Sequence, residues 1–160
     1  NMKKTLIVYA SKTGVTRDVA LYIQEHIEGS VLFDAAKEQE VDLSLYDQVI
    51  IGTPIYISQV LKGVKSFVDT YKAQLLTKEL YLYTCGADEN HEPRFFLDPI
   101  YGEELCTHAK SIIYAGTELR YKKMKFFPKL IMKMIAKKDH LDPDILFEHV
   151  DVLIHEALKA

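Results

Sequence analysis

The sequence predicts a doubly wound α/β sandwich, a parallel sheet with helices on both faces. Three observations carry this expectation. Short apolar runs rich in β-branched and aromatic residues recur without polar alternation, which marks strands buried on both faces. Segments with apolar residues at helical spacing lie between them. Four of the seven glycines, Gly14, Gly52, Gly86 and Gly116, fall at or just beyond the carboxyl ends of the runs. Open α/β sheets place their ligands at that edge, where backbone must come close to the bound group.

The elements follow in order. Thr5–Ala10 reads as the first strand, and Val15, Val19, Ile23 and Ile27 repeat every four residues as the buried stripe of a first helix. A weaker strand covers Ser30–Asp34, and a strong one Gln48–Ile51. Val60, Val64 and Val68, with Leu61 and Phe67 beside them, form the next helical stripe. Leu80–Thr84 and Ser111–Ala115 complete the set of strands. A last helix is expected to start at Asp142 or Pro143, with Ile145, Val152 and Leu153 on one face. Strand and helix thus alternate five times, with short connections, in one domain spanning residues 1–160.

Composition sets limits on function. The chain has 160 residues, 48% of them hydrophobic, with a formal net charge of −3. Disorder, collagen and disulfide scaffolds are excluded. Cys85 and Cys106 lie far apart with no Cys-x-x-Cys, which points to a reducing cytoplasm. No run reaches the length of a membrane span, and Leu6–Ala10 is too short for a signal peptide. The small net charge conceals a split. Between Arg120 and Lys138 stand eight of the 20 Lys and Arg residues and no acid, which leaves 12 bases against 23 acids, a net of −11, over the rest.

The strongest chemical motif is Ser11-Lys12-Thr13-Gly14-Val15-Thr16, at the first strand–helix junction. The first amides of a helix have no intrahelical partner, so they and the helix dipole favour an anion. Three hydroxyls add further hydrogen bonds, where an ordinary N-cap uses one. The spacing is neither that of a P-loop nor Gly-x-Gly-x-x-Gly, so a single phosphomonoester fits better than a triphosphate or dinucleotide. The six histidines show no metal-binding spacing; most are expected to be solvated, and His91 alone falls in a candidate ligand loop.

Ser-x-Thr-Gly-x-Thr after a buried first strand resembles the phosphate fingerprint of flavodoxins. The likeness extends through Tyr46–Tyr56 and Lys65-Ser66-Phe67-Val68. That resemblance implies a five-stranded parallel sheet of order 2-1-3-4-5 and FMN as cofactor. It further implies that Ser11, Lys12, Thr13, Gly14, Val15 and Thr16 wrap the FMN phosphate. Thr53, Pro54, Ile55 and Tyr56 then border the isoalloxazine ring; Tyr56 is the candidate for stacking on it, with Ile55 and Ile57 as alternatives. Cys85, Gly86, Ala87 and Asp88 form the third flavin loop, with backbone contacts through Gly86 and Ala87 and electrostatic tuning by Asp88 or Glu89. This loop lacks the glycine-acid pair and stacking tyrosine common in electron carriers. Cys85 reads as a small strand-end residue rather than a redox thiol. A phosphorylation-receiver domain shares the topology, but Ser11-Lys12 stands where it needs an aspartate.

The basic segment, an insert at about 116–141, narrows the resemblance. With Pro128 opening a helix, Lys129, Lys133 and Lys137 fall on one stripe, and Leu130, Ile131, Met134 and Ile135 on the other side. Such a helix suits an anionic membrane surface, each lysine adding about 1 kcal/mol there; packing on its own domain is the alternative, and nucleic acid is excluded for want of a recognition motif. Gly116–Tyr121 and Ile131-Met132-Lys133-Met134 are similar to the insert of menaquinone-dependent protoporphyrinogen oxidases, although Lys138-Asp139 stands where glycines are common. The resemblance implies an FMN-dependent oxidoreductase that passes electrons from a reduced tetrapyrrole through FMN to a quinone. It also implies a cytoplasmic protein, peripheral at the inner face of the membrane through Lys122–Lys138. Arg120, Lys122 and Lys123 are candidates to meet substrate carboxylates or lipid phosphates, and no side chain is assigned as a catalytic acid or base. The competing class is a flavodoxin-type carrier between protein partners; an NAD(P)H-dependent quinone or nitro reductase lacks a nicotinamide-site signal.

Overall fold

A computed structural model describes residues 3–10, 14–37, 40–55, 59–86, 90–117 and 145–159. Its sheet has five strands, β1 (Thr5–Tyr9), β2 (Val31–Asp34), β3 (Gln48–Pro54), β4 (Glu79–Cys85) and β5 (Ser111–Gly116). They are arranged β2-β1-β3-β4-β5, and every pairing is parallel. Among the described residues the helices are α1 (Val15–His26), α2 (Gln59–Leu75), α3 (Pro93–Tyr101), α4 (Glu103–His108) and α5 (Phe147–Leu158).

The continuous apolar runs work because a strand turns successive side chains to opposite faces, and here both faces are covered. Leu6, Val8, Val49, Ile51, Leu80 and Leu82 enter one core, which Val64, Phe67 and Val68 of α2 and Leu97 of α3 complete. Ile7, Tyr9, Ile50, Tyr81 and Tyr83 enter the other, closed by Val15, Val19, Ala20 and Ile23 of α1 and Val150, Leu153, Ile154 and Ala157 of α5. All seven residues of β3 are buried, as the central strand of a covered sheet requires.

Several boundaries differ from expectation. β3 runs on through Gly52, Thr53 and Pro54, so these residues are strand and not loop. Gly52 pairs with Tyr9 on one side and Tyr83 on the other, and this ladder holds the segment extended. Among the described residues, β2 and β3 are joined by a short 3₁₀ turn, Leu43–Leu45, rather than by an α-helix. Asp42 caps that turn by accepting from the Ser44 N–H at 3.0 Å. The last helix begins later than expected. Ile145 forms an antiparallel bridge with Gly116 before α5 starts, so it does not lie on that helix. Val152 is 57% exposed; the buried face of α5 runs through Val150, Leu153, Ile154 and Ala157 instead. Asp142, Pro143 and the basic helix expected from Pro128 lie outside the described residues.

Candidate functional site

The carboxyl ends of β1, β3 and β4 come together at one edge of the sheet, and α1 starts there. Gly14 is the N-cap of α1, at φ 96° and ψ −8°. That left-handed conformation strains any residue with a Cβ, and it lets the chain turn sharply into the helix. The first intrahelical bond runs from the Asp18 N–H to the Gly14 carbonyl at 2.9 Å, so helix geometry gives the amides of Val15, Thr16 and Arg17 no partner within α1. Val15 packs in the core beneath this turn, and Thr16 is wholly buried. A glycine cap with the positive end of the dipole behind it favours an anion.

The ends of β3 and β4 are laced together. Thr84 Oγ1 donates to the Thr53 carbonyl at 2.8 Å, and Thr53 Oγ1 to the Pro54 carbonyl at 3.3 Å. The Ile55 N–H donates to the Cys85 carbonyl at 3.1 Å, and the Gly86 N–H to the Gly116 carbonyl at 2.9 Å. The Gly86 amide is therefore engaged by β5, and what this residue adds to the edge is its lack of a side chain. A Cβ built there lies 2.2 Å from Ile55 Cγ1, so Ile55 occupies the space that any larger residue at 86 would need. Cys85 closes β4 as a wholly buried thiol, in keeping with a strand-end role. The wholly interior hydroxyl of Tyr101 approaches the Thr53 side chain from the α2 face of the sheet without closing a full hydrogen bond. Its pKa is pushed up, first by burial and then by Cys106 nearby.

Of the residues expected to meet a ligand, Gly14, Val15, Thr16, Thr53, Pro54, Ile55, Cys85 and Gly86 are gathered at this edge. Ser11, Lys12, Thr13, Tyr56, Ala87 and Asp88 lie outside the described residues. His91 follows the third loop and is held in place. Its ring stacks on Phe95 with centroids 4.2 Å apart, and its carbonyl accepts from the Tyr114 hydroxyl at 2.7 Å. Other histidines expected to be solvated also have partners: His108 Nε2 contacts the Lys78 carbonyl at 2.6 Å and His149 Nδ1 the Tyr114 carbonyl at 2.8 Å. A separate cavity of about 300 Å³, lined in part by Phe33, Lys37, Gly63, Ser66 and Tyr71, lies on the α2 face of the sheet, opposite α1.

Sequence reasoning missed one residue that reaches this edge. Tyr83, on β4, donates its hydroxyl to the Thr16 carbonyl in the first turn of α1 at 2.9 Å. A signal was present, since Tyr83 stands beside Gly52 once β3 and β4 are aligned, but that register is not visible in the linear sequence.

Comparison with known proteins decides the family: the model of the flavodoxin domain matches residues 6–145. The chain belongs to the flavodoxin domain family. This flavodoxin domain is 31% identical to a flavodoxin of Buchnera aphidicola over 103 residues, which cover 62% of the chain and 60% of that protein. It is 24% identical to the protoporphyrinogen IX dehydrogenase [quinone] of Escherichia coli K12 over 149 residues, 84% of the chain and 79% of that protein. A flavoprotein of Lactobacillus acidophilus, solved in complex with FMN, shares the fold with a TM-score of 0.53 and 20% identity, over 70% of this chain and 93% of that one. The strand order β2-β1-β3-β4-β5 of this flavodoxin domain agrees with the expectation. No helix among the described residues is long and apolar enough to cross a membrane.

Proposed function

We propose that this flavodoxin domain binds FMN at the β1–β3–β4 edge and is an oxidoreductase acting on a reduced tetrapyrrole, with a quinone as acceptor. The described residues fit that cofactor. The first turn of α1 opens behind a left-handed glycine that has no side chain of its own to cap it, as a phosphate needs. Gly14, Val15 and Thr16, with Ser11, Lys12 and Thr13, would hold the phosphate. Thr53, Pro54, Ile55 and Tyr56 would border the ring, facing Cys85, Gly86, Ala87 and Asp88. When bound, FMN supplies the redox chemistry, and the protein contributes binding, orientation and exclusion of water. The lacing of Ile55 to Cys85 and of Thr84 to Thr53 holds the ends of β3 and β4 at a fixed separation.

The observation that supports an enzyme over a carrier is the length of the likeness to the protoporphyrinogen dehydrogenase, 84% of the chain against 62% for the flavodoxin. The higher identity to the flavodoxin supports the second reading, an electron carrier between protein partners. An oxidation assay separates them. Holoprotein, protoporphyrinogen and a quinone are expected to give porphyrin fluorescence above the autoxidation control; a rate equal to the control sinks the enzyme reading and leaves the carrier. Peripheral contact with an anionic membrane through Lys122–Lys138 belongs to the same proposal. Removing that segment is expected to abolish cosedimentation with anionic liposomes, and unchanged sedimentation removes the membrane from the scheme.

A further inference from the structure

Tyr83 is wholly buried, and its hydroxyl meets the first turn of α1 across the sheet from β4. Burying a hydroxyl costs free energy unless it is hydrogen-bonded, and phenylalanine would fill the same space without that cost. Gly52 makes the reach possible. It sits in register between Tyr83 on β4 and Tyr9 on β1, and a Cβ there would stand 1.9 Å from Tyr83 Cζ and 2.3 Å from the Tyr83 hydroxyl oxygen. The ring therefore lies across the bare backbone of β3 to meet the Thr16 carbonyl.

That carbonyl shares a planar trans peptide with the Arg17 N–H. The oxygen at one end and the hydrogen at the other point in opposite directions, so a donor on Thr16 O fixes the plane that aims the Arg17 amide toward the start of the helix. Arg17 is the third residue of α1, the last whose amide precedes the first intrahelical bond. A hydrogen bond accepted at the carbonyl also polarises the peptide and strengthens its N–H as a donor.

We propose that Tyr83, given room by Gly52, is a positioning residue for the phosphate-binding turn, acting through the Thr16–Arg17 peptide. This rests on the FMN reading above. Tyr83 would act on the phosphate through this peptide, by adding to the direction and strength of the Arg17 amide at the start of α1.

The test compares two flavins that differ by the phosphate. FMN and riboflavin are titrated, by quenching of flavin fluorescence, into the full chain and into Tyr83→Phe, which keeps the ring and removes the hydroxyl. The Kd for FMN is expected to rise about 5-fold in the variant, the loss of about one hydrogen bond, while that for riboflavin stays within about 2-fold. The Arg17 amide proton of the flavin-free protein is expected to move upfield in the same variant, a readout that needs no flavin. Equal weakening toward both flavins makes Tyr83 a packing residue and overturns the inference, as does an unchanged Kd for FMN. A wild-type chain that binds neither flavin overturns the FMN reading itself, and the role of Tyr83 with it.

Discussion

Replacing Gly52 by alanine adds one methyl group at the centre of the sheet. A Cβ at this position lies 1.9 Å from Tyr83 Cζ and 2.3 Å from both Cε2 and the hydroxyl oxygen. The contact is with the far end of a side chain, but Tyr83 is wholly buried in the α1–α5 core and cannot swing into solvent. Overpacking of this kind costs about 1–3 kcal/mol. Displacing the ring also breaks its bond to Thr16, about 1 kcal/mol more. Gly52 is not in the left-handed region, so alanine stiffens the unfolded chain and returns about 0.4–1 kcal/mol. The net destabilisation is about 1–3.6 kcal/mol, a fall in Tm of roughly 2–14 °C for a domain of this size. Thermal unfolding followed by circular dichroism measures it. In a Tyr83→Leu background, where the shorter side chain no longer crosses β3, the same Gly52→Ala change is expected to cost less than about 0.5 kcal/mol, because coupled sites are not additive. An equal cost in both backgrounds refutes the steric account.

Other consequences are open to direct measurement. Gly86→Ala pushes Ile55 from the space it fills, and is expected to weaken FMN binding several-fold in a fluorescence titration with little change in Tm, since Ile55 is only half-buried. Neither cysteine is expected to react with a maleimide until the protein is unfolded, as read by mass spectrometry. Cys85 is wholly buried, and burial and then Asp98 push the Cys106 thiol up to about 12. The Tyr22 hydroxyl donates to Asp151 at 2.6 Å and joins α1 to α5; that hydrogen bond first, then burial, raises its pKa from 10.0 to about 12. A folded pKa above the unfolded value means that its stabilisation is complete below pH 10 and is lost as pH rises toward about 12, so Tyr22→Phe is expected to flatten that part of the stability curve. Glu79 shows the opposite sign. Lys110 and Lys3, each 2.7 Å away, hold its carboxyl below the usual 4.5, so its contribution is present above that pH and lost below it, and Glu79→Gln is expected to reduce the acid slope of chemical denaturation.

The sheet was legible because burial on both faces leaves a mark that needs no tertiary knowledge. Leu6-Ile7-Val8 and Val49-Ile50-Ile51 are apolar at every position, and only a covered strand uses such a run. The start of α1 was legible for a similar reason, since Gly14 among hydroxyls at the end of a strand is a local pattern, although that Gly14 itself caps the helix was not. What escaped depends on pairing. Thr53 and Pro54 read as loop residues because proline suits strand ends, yet the β3–β4 ladder extends through Pro54 opposite Cys85. Ile145 has the hydrophobicity of a helix face but is claimed by Gly116 on β5. Tyr83 looked like one more strand aromatic, and its reach to Thr16 exists only because register sets a glycine beside it.

The bridge between Gly116 and Ile145, with the Leu146 N–H donating to the Ala115 carbonyl at 2.9 Å, has a consequence for how such a chain can change over time. Gly116 and Ile145, which flank residues 117–144 in sequence, are neighbours on the sheet, so the frame registers only that these two ends meet. Closure entropy grows with the logarithm of loop length, about 0.6 kcal/mol for each doubling, so a stretch hung on such a clasp can lengthen, shorten or change its charge at little thermodynamic cost to the rest. In a chain built this way, change has a place to accumulate that selection for folding scarcely inspects.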